Sequence, residues 1–153
     1  MIPEIAGLPT LAWTSAPSHA VYDQADGMLT LTAAAGVDWS NDSLGGEQQH
    51  RASALAFTAP ASFSLSARVL VVSSRTTFDA GVLALWADSD HWAKLCFEYS
   101  PHGEAMVVTV VTNTVKPVNV GFMSQAPMGQ SCVAGFDSIQ FTDQTPENLR
   151  DGS

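Results

Sequence analysis

The segments Leu83-Ala84-Leu85-Trp86, His91-Trp92-Ala93-Lys94-Leu95-Cys96-Phe97-Glu98-Tyr99 and Glu104-Ala105-Met106-Val107-Val108-Thr109-Val110-Val111 decide the fold. In the second, Ala93, Leu95 and Phe97 alternate with Lys94, Cys96 and Glu98, the period-two pattern of a strand. The third is dense in β-branched residues, which crowd a helix at χ1 but suit a pleated sheet. Between them, Ser100-Pro101-His102-Gly103 reads as a four-residue hairpin loop that pairs Tyr99 with Glu104. That register sets Phe97 opposite Met106, Leu95 opposite Val108 and Ala93 opposite Val110, an all-apolar face. A one-residue slip would bring Lys94 and Glu98 into it. Pairing Leu85 with Ala93 and Leu83 with Leu95, through the loop at 87–91, completes a three-strand antiparallel meander.

The same signals recur along the chain. Met28-Leu29-Thr30-Leu31-Thr32 and Phe63-Ser64-Leu65-Ser66-Ala67-Arg68-Val69 alternate likewise. Turn chemistry interrupts the chain at Gln24-Ala25-Asp26-Gly27, Leu44-Gly45-Gly46, Ala59-Pro60 and Ala126-Pro127-Met128-Gly129. Many short strands between closely spaced turns predict an all-β sandwich or barrel. Residues 1–141 are expected to form one domain and residues 142–153 a polar tail.

With 153 residues the chain can bury a sizeable core without disulfide staples. Charged residues make up 14%, against about 25% in typical domains, and the formal net charge is −9. Such a surface repels phosphate backbones and anionic lipid, so nucleic acid and membrane are excluded as expected partners. Cys96 and Cys132 lie in apolar runs without Cys-x-x-Cys spacing, and are read as two buried free thiols. The N-terminus lacks a basic region and is interrupted by Pro3 and Pro9, unlike a signal peptide, so a cytoplasmic location is expected.

The meander's second face carries the chemistry. Ala84, Trp86, Trp92, Lys94, Cys96, Glu98 and Thr109 are expected there, turned outward. If the 63–69 strand is a neighbour, Ser64, Ser66 and Arg68 join them. Aromatic plates beside hydrogen-bonding charges suit a polyol, whose rings present C–H faces and hydroxyl rims. Lys94 and Glu98 lie roughly 13 Å apart along the strand, too far for a direct salt bridge. Trp86 and Trp92 oppose each other as one stacking platform, and Trp39 sits in a loop that can close over the same face.

The run from Phe78-Asp79-Ala80-Gly81 through Trp92-Ala93-Lys94 to Glu98-Tyr99-Ser100-Pro101 resembles the DUF1349 domain. This is a concanavalin A-like β-sandwich group that includes proteins labelled "regulation of enolase protein 1". Leu29-Thr30-Leu31-Thr32-Ala33, Gly36-Val37-Asp38-Trp39 and the closing Leu149-Arg150-Asp151-Gly152-Ser153 support the resemblance. It implies a concanavalin-like jelly-roll sandwich and a carbohydrate-related role, without an established reaction. Relatives carry further strands after the Val-Val-Thr strand, whereas here Thr112 to Phe122 joins the next segment directly. An exposed sheet edge, and self-association through it, is the consequence. Glu47-Gln48-Gln49-His50-Arg51 stands where relatives have an Asn-Ala-Pro-like loop.

These readings predict non-catalytic carbohydrate or polyol binding, with Trp86, Trp92, Lys94, Glu98, Arg68, Trp39 and Asp79 as ligand-binding candidates. Asp79 has a competing role as a turn cap. A glycoside-acting enzyme using Glu98 is the first alternative, with Asp38, Asp79 or Glu104 as second carboxylate. A protein-interaction or regulatory module of sugar metabolism is the second. No cofactor is expected. No metal is expected either, since His19, His50, His91 and His102 are isolated and the stretch from Asp23 to Gly27 reads as a turn rather than a calcium loop.

Overall fold

The computed structural model describes residues 1–42, 44–113 and 118–148. Among them are twelve strands and no helix. Six form one antiparallel sheet in the order β1 (Ala12–Trp13), β6 (Ala54–Thr58), β11 (Asn119–Gln125), β8 (Ala80–Asp88), β9 (His91–Tyr99) and β10 (Ala105–Val111). Four form a second, in the order β2 (His19–Asp23), β3 (Met28–Ala34), β12 (Ser131–Thr142) and β7 (Ser64–Val71). A ribbon of β4 (Trp39–Asn41) and β5 (Gln48–His50) stands apart from both. The result is a two-layer, all-β antiparallel sandwich. No helix of the described residues is long and apolar enough to cross a membrane.

Between the layers lies the main core, built by alternation. Leu29 and Leu31 of β3, Leu55 and Phe57 of β6, Phe122 of β11 and Phe136 of β12 are all buried there. Each such side chain stabilises the fold by about 1.5–3 kcal/mol relative to exposure. Strands β6 and β11 are buried on both faces, because a second cluster covers the outer side of the large sheet. At Gly121 an added Cβ would collide with the Leu55 carbonyl oxygen, so only glycine fits between β11 and β6. Cys96 and Cys132 are free and buried.

The layers are offset. The small sheet lies over β11 and β8, with β7 over β8, while β9 and β10 extend past it. The inward-facing side chains of that overhang are therefore wet: Leu95 and Phe97 are each 45% exposed and Val107 is 75% exposed.

Three expectations about the meander need correction. The pairings Leu83–Leu95, Leu85–Ala93 and Trp86–Trp92 are present as expected. The β9–β10 register differs by one: Tyr99 pairs with Ala105, Phe97 with Val107 and Leu95 with Thr109. The turn is a three-residue loop, Pro101-His102-Gly103, closed by Ser100 N donating to Glu104 O at 2.9 Å. Gly103 N donates to Ser100 O, Gly103 adopts φ 77°, and Ser100 Oγ accepts the His102 and Glu104 amides. A tight turn ending in a left-handed glycine is thereby completed, one residue shorter than expected. Thr109 consequently joins Leu95 rather than Lys94. The 63–69 strand is not a neighbour of the meander either: as β7 it lies in the opposite layer, and takes Arg68 with it.

Candidate functional site

On β9 the even-numbered side chains Trp92, Lys94, Cys96 and Glu98 share one face, turned away from the main core. They are not outward in the sense of meeting solvent, which corrects the sequence expectation. Trp92 is fully buried, and Lys94 and Glu98 are each 6% exposed. The cover is the β4–β5 ribbon. Trp39 lies with its ring centroid 4.6 Å from Trp86 and 5.9 Å from Trp92, and the His50 ring is 5.8 Å and 6.0 Å from the same two. Both buried indoles find acceptors, Trp39 Nε1 on Ala52 O at 2.8 Å and Trp92 Nε1 on Ser89 O at 3.1 Å. The ribbon is pinned at its other side by Asn41 Nδ2 donating to Ser89 O at 3.2 Å, while Asn41 Oδ1 bonds His50 Nε2 at 2.7 Å.

Beneath the rings runs a chain of polar groups. Lys94 Nζ donates to Asp38 Oδ1 at 2.6 Å and to Gln125 Oε1 at 3.0 Å. Gln125 Nε2 donates to Glu98 Oε2 at 3.1 Å and to Phe78 O at 2.8 Å. Cys96 Sγ donates to the same Glu98 oxygen at 3.3 Å. Gln125 from β11 thus bridges the gap that keeps Lys94 and Glu98 apart. Asp38 is fixed from two sides, its Oδ1 accepting Trp39 N at 2.7 Å and its own N donating to Gln49 Oε1 at 2.5 Å. Such groups are tolerated in a low-dielectric setting because every one is hydrogen-bonded.

The electrostatics follow from burial. The Cys96 thiol is pushed up to about 12, first by desolvation and then by the nearby Glu98 charge, and stays protonated as a donor. Desolvation among the tryptophans also lowers His50, partly opposed by Asp90. Among the described residues, no group of three or more His, Cys, Asp or Glu side chains is placed to hold a metal ion.

Of the seven candidates, the structure gathers Trp39, Trp86, Trp92, Lys94 and Glu98. It places the other two elsewhere. Arg68 stands on the outer side of the small sheet, its Nε donating to Asp137 Oδ1 at 2.7 Å and its Nη2 to Asp137 Oδ2. That pairing raises the Arg68 pKa and lowers that of Asp137. Asp79 is fully buried before β8, where its Oδ2 accepts Thr76 N at 3.0 Å and Thr76 Oγ1 at 3.1 Å. It caps a turn that leaves Phe78 at φ 65°. Asp23 likewise makes a turn, accepting Ala25 N at 2.8 Å.

Sequence reasoning missed Gln49 and Gln125, read His50 as an isolated loop residue, and weighed Asp38 only as a second carboxylate. One signal was available. Gln125 lies in the run Val120-Gly121-Phe122-Met123-Ser124-Gln125-Ala126, where an amide among mostly apolar residues has to find buried partners. The closing 149–153 segment, and residues 114–117 of the short connection after β10, lie outside the described residues.

A family model described as "Protein of unknown function (DUF1349)" matches residues 13–116. A functionally unknown protein from Saccharomyces cerevisiae, known from its crystal structure, is similar in fold. It aligns with a TM-score of 0.65 and 14% sequence identity, over 94% of this chain and 100% of that one. No curated protein matches.

Proposed function

The chain belongs to the DUF1349 family, and we propose that it binds a carbohydrate or similar polyol, without turnover, where the β4–β5 ribbon meets the outer face of the large sheet. The observation that carries this reading is the direct abutment of four rings, Trp39, Trp86, Trp92 and His50, on the Asp38–Lys94–Gln125–Glu98 chain. Trp86 and His50 are half-buried and form the accessible lip. Asp38, with 14% of its side chain exposed, is where the polar chain reaches water. A sugar ring stacks its C–H face on Trp86 and gives hydroxyl donors to Asp38. Lys94, Gln125 and Glu98 act from beneath as positioning residues.

Binding is favoured over hydrolysis because hydrolysis needs two carboxyl groups free to flank one bond. Glu98 is occupied by Gln125 and Cys96, and Asp38 by Lys94. Two buried reduced thiols suit a cytoplasmic setting. Isothermal titration against a panel of neutral oligosaccharides and sugar phosphates tests the reading. Heat is expected from at least one member, with affinity reduced about tenfold or more in Trp86→Ala, equivalent to roughly 1.4 kcal/mol. A panel that gives no heat at all, or a hit unaffected by Trp86→Ala, overturns it.

A further inference from the structure

We propose that two copies of this chain interlock about a twofold axis parallel to the strands, each β10 pairing with the partner's β7. Each overhang then covers the other. Three independent observations converge on this arrangement.

The first is what the offset leaves open. Among the described residues, both layers end in an unpaired strand on the same side, β7 in the small sheet and β10 in the large one. Strand β10 carries none of the devices that blunt an edge: Ala105–Val111 has no charge, no proline and no bulge. Its own inward side chains and the floor beside it are apolar and wet, with Val107 75% and Val111 56% exposed on β10 and Leu95 45% exposed on β9.

The second is hydrogen-bonding parity. Thr112 N donates to Trp92 O, so the even residues of β10 point their backbone groups at β9 and the odd ones at the open edge. Val72 N donates to Val133 O, so β7 likewise directs its odd residues outward. The odd side chains of both strands also face the space between the layers. Odd on odd is therefore the pairing that joins the ladders and keeps the apolar side chains on one face.

The third is register. An axis along the strands preserves height. Val107 is level with Phe97 and Thr109 with Leu95, and Leu95 is level with Leu83. A Cβ built on Gly81 would come within 2.6 Å of Val69, and Leu65, two pleats earlier, shares a cavity with Leu85, so β7 runs antiparallel over β8 at matching heights. The rotation consequently brings Val107 opposite the second copy's Val69, Thr109 opposite its Ala67 and Val111 opposite its Leu65, antiparallel and without sliding. Arg75 sits over the Tyr99 ring near the end of β9, its guanidinium 4.5 Å from the ring centroid.

Light scattering on the full chain after size exclusion, at micromolar concentration, is expected to give twice the 16.1 kDa chain mass. Val107→Lys places charge at an already exposed position and is expected to give the single-chain mass, with an unchanged circular dichroism spectrum. A wild-type protein at single-chain mass, or a Val107→Lys dimer, overturns the proposal. Cross-linking separates this geometry from others. Ala67→Cys mixed with Thr109→Cys and a short bis-maleimide should give a covalent dimer that neither variant gives alone. Cross-linking of Thr109→Cys by itself would mean β10 pairs with its own copy, and refutes the interlock, as does a mixture that yields no cross-link. Because none of these residues touches the ribbon site, the outcome is independent of sugar binding.

Discussion

Lys94 is the residue on which the site's electrostatics turn. It supplies the cation to a polar chain that contains Asp38 and Glu98, and it does so while 6% exposed. Lys94→Met keeps the stem's apolar volume but leaves Asp38 without its cation and Gln125 Oε1 without its donor. Removing one partner of a buried pair costs about 3–5 kcal/mol, and the partial exposure of Asp38 brings the expected loss to the low end. Urea denaturation should show it as a lower midpoint with an unchanged slope. Arg68→Ala, by contrast, removes a partner whose side chain is 65% exposed, and should lower the midpoint by less than Lys94→Met does. His50 adds a pH dependence. Its folded pKa is depressed, so on acidification the unfolded chain takes up the proton near its ordinary value before the folded chain does. Stability is present above about pH 6.5 and is lost as pH falls through that value toward the folded pKa. Thermal melts at pH 7.5 and pH 5.5 should differ less in His50→Asn than in the wild type; an equal difference would remove His50 as the cause.

Strand pairs are settled by turns as much as by side chains, and the β9–β10 hairpin illustrates this. Gly103 sits at φ 77° with nothing within 4 Å of where a methyl group would stand, so Gly103→Ala introduces backbone strain without any clash. The expected cost is about 1 kcal/mol, a fall in Tm of about 2–4 °C for a domain of this size. Differential scanning calorimetry measures it directly. The same hairpin shows what the sequence reveals and what it leaves open. Alternation along Lys94-Leu95-Cys96-Phe97-Glu98 identified the strand and its two unlike faces, and correctly opposed Trp86 to Trp92. It could not reveal which face meets water. That depends on the ribbon at 39–50, too short and polar to announce itself as a cover, and on how far the small sheet extends. The usual equation of apolar with inside therefore failed at both faces of β9: the lysine and glutamate are buried, and Leu95 and Phe97 are wet. The register was missed for a smaller reason, the Ser100 hydroxyl accepting two loop amides and tightening the turn by one residue.

At the level of the whole molecule, charge decides how the proposed pair responds to solvent. Each copy carries a formal −9, yet β10 and the inward face of β7 contribute none of it. The interface is thus held by strand pairing and apolar burial, which salt does not weaken, and opposed by long-range repulsion between two acidic bodies, which salt screens. Raising ionic strength from 0.01 M to 0.15 M shortens the screening length from about 30 Å to about 8 Å, less than the width of one copy. Association should therefore tighten with salt. Lowering the pH toward the pI near 4.5 reduces the same repulsion, but it also weakens the fold through the depressed pKa of His50, so the salt titration is the cleaner measurement. Sedimentation velocity at the two ionic strengths is expected to show a higher dimer fraction at the higher one. The opposite trend would mean that ion pairs carry the contact, which an uncharged β10 edge does not provide, and the dimer would then have to be sought on another face.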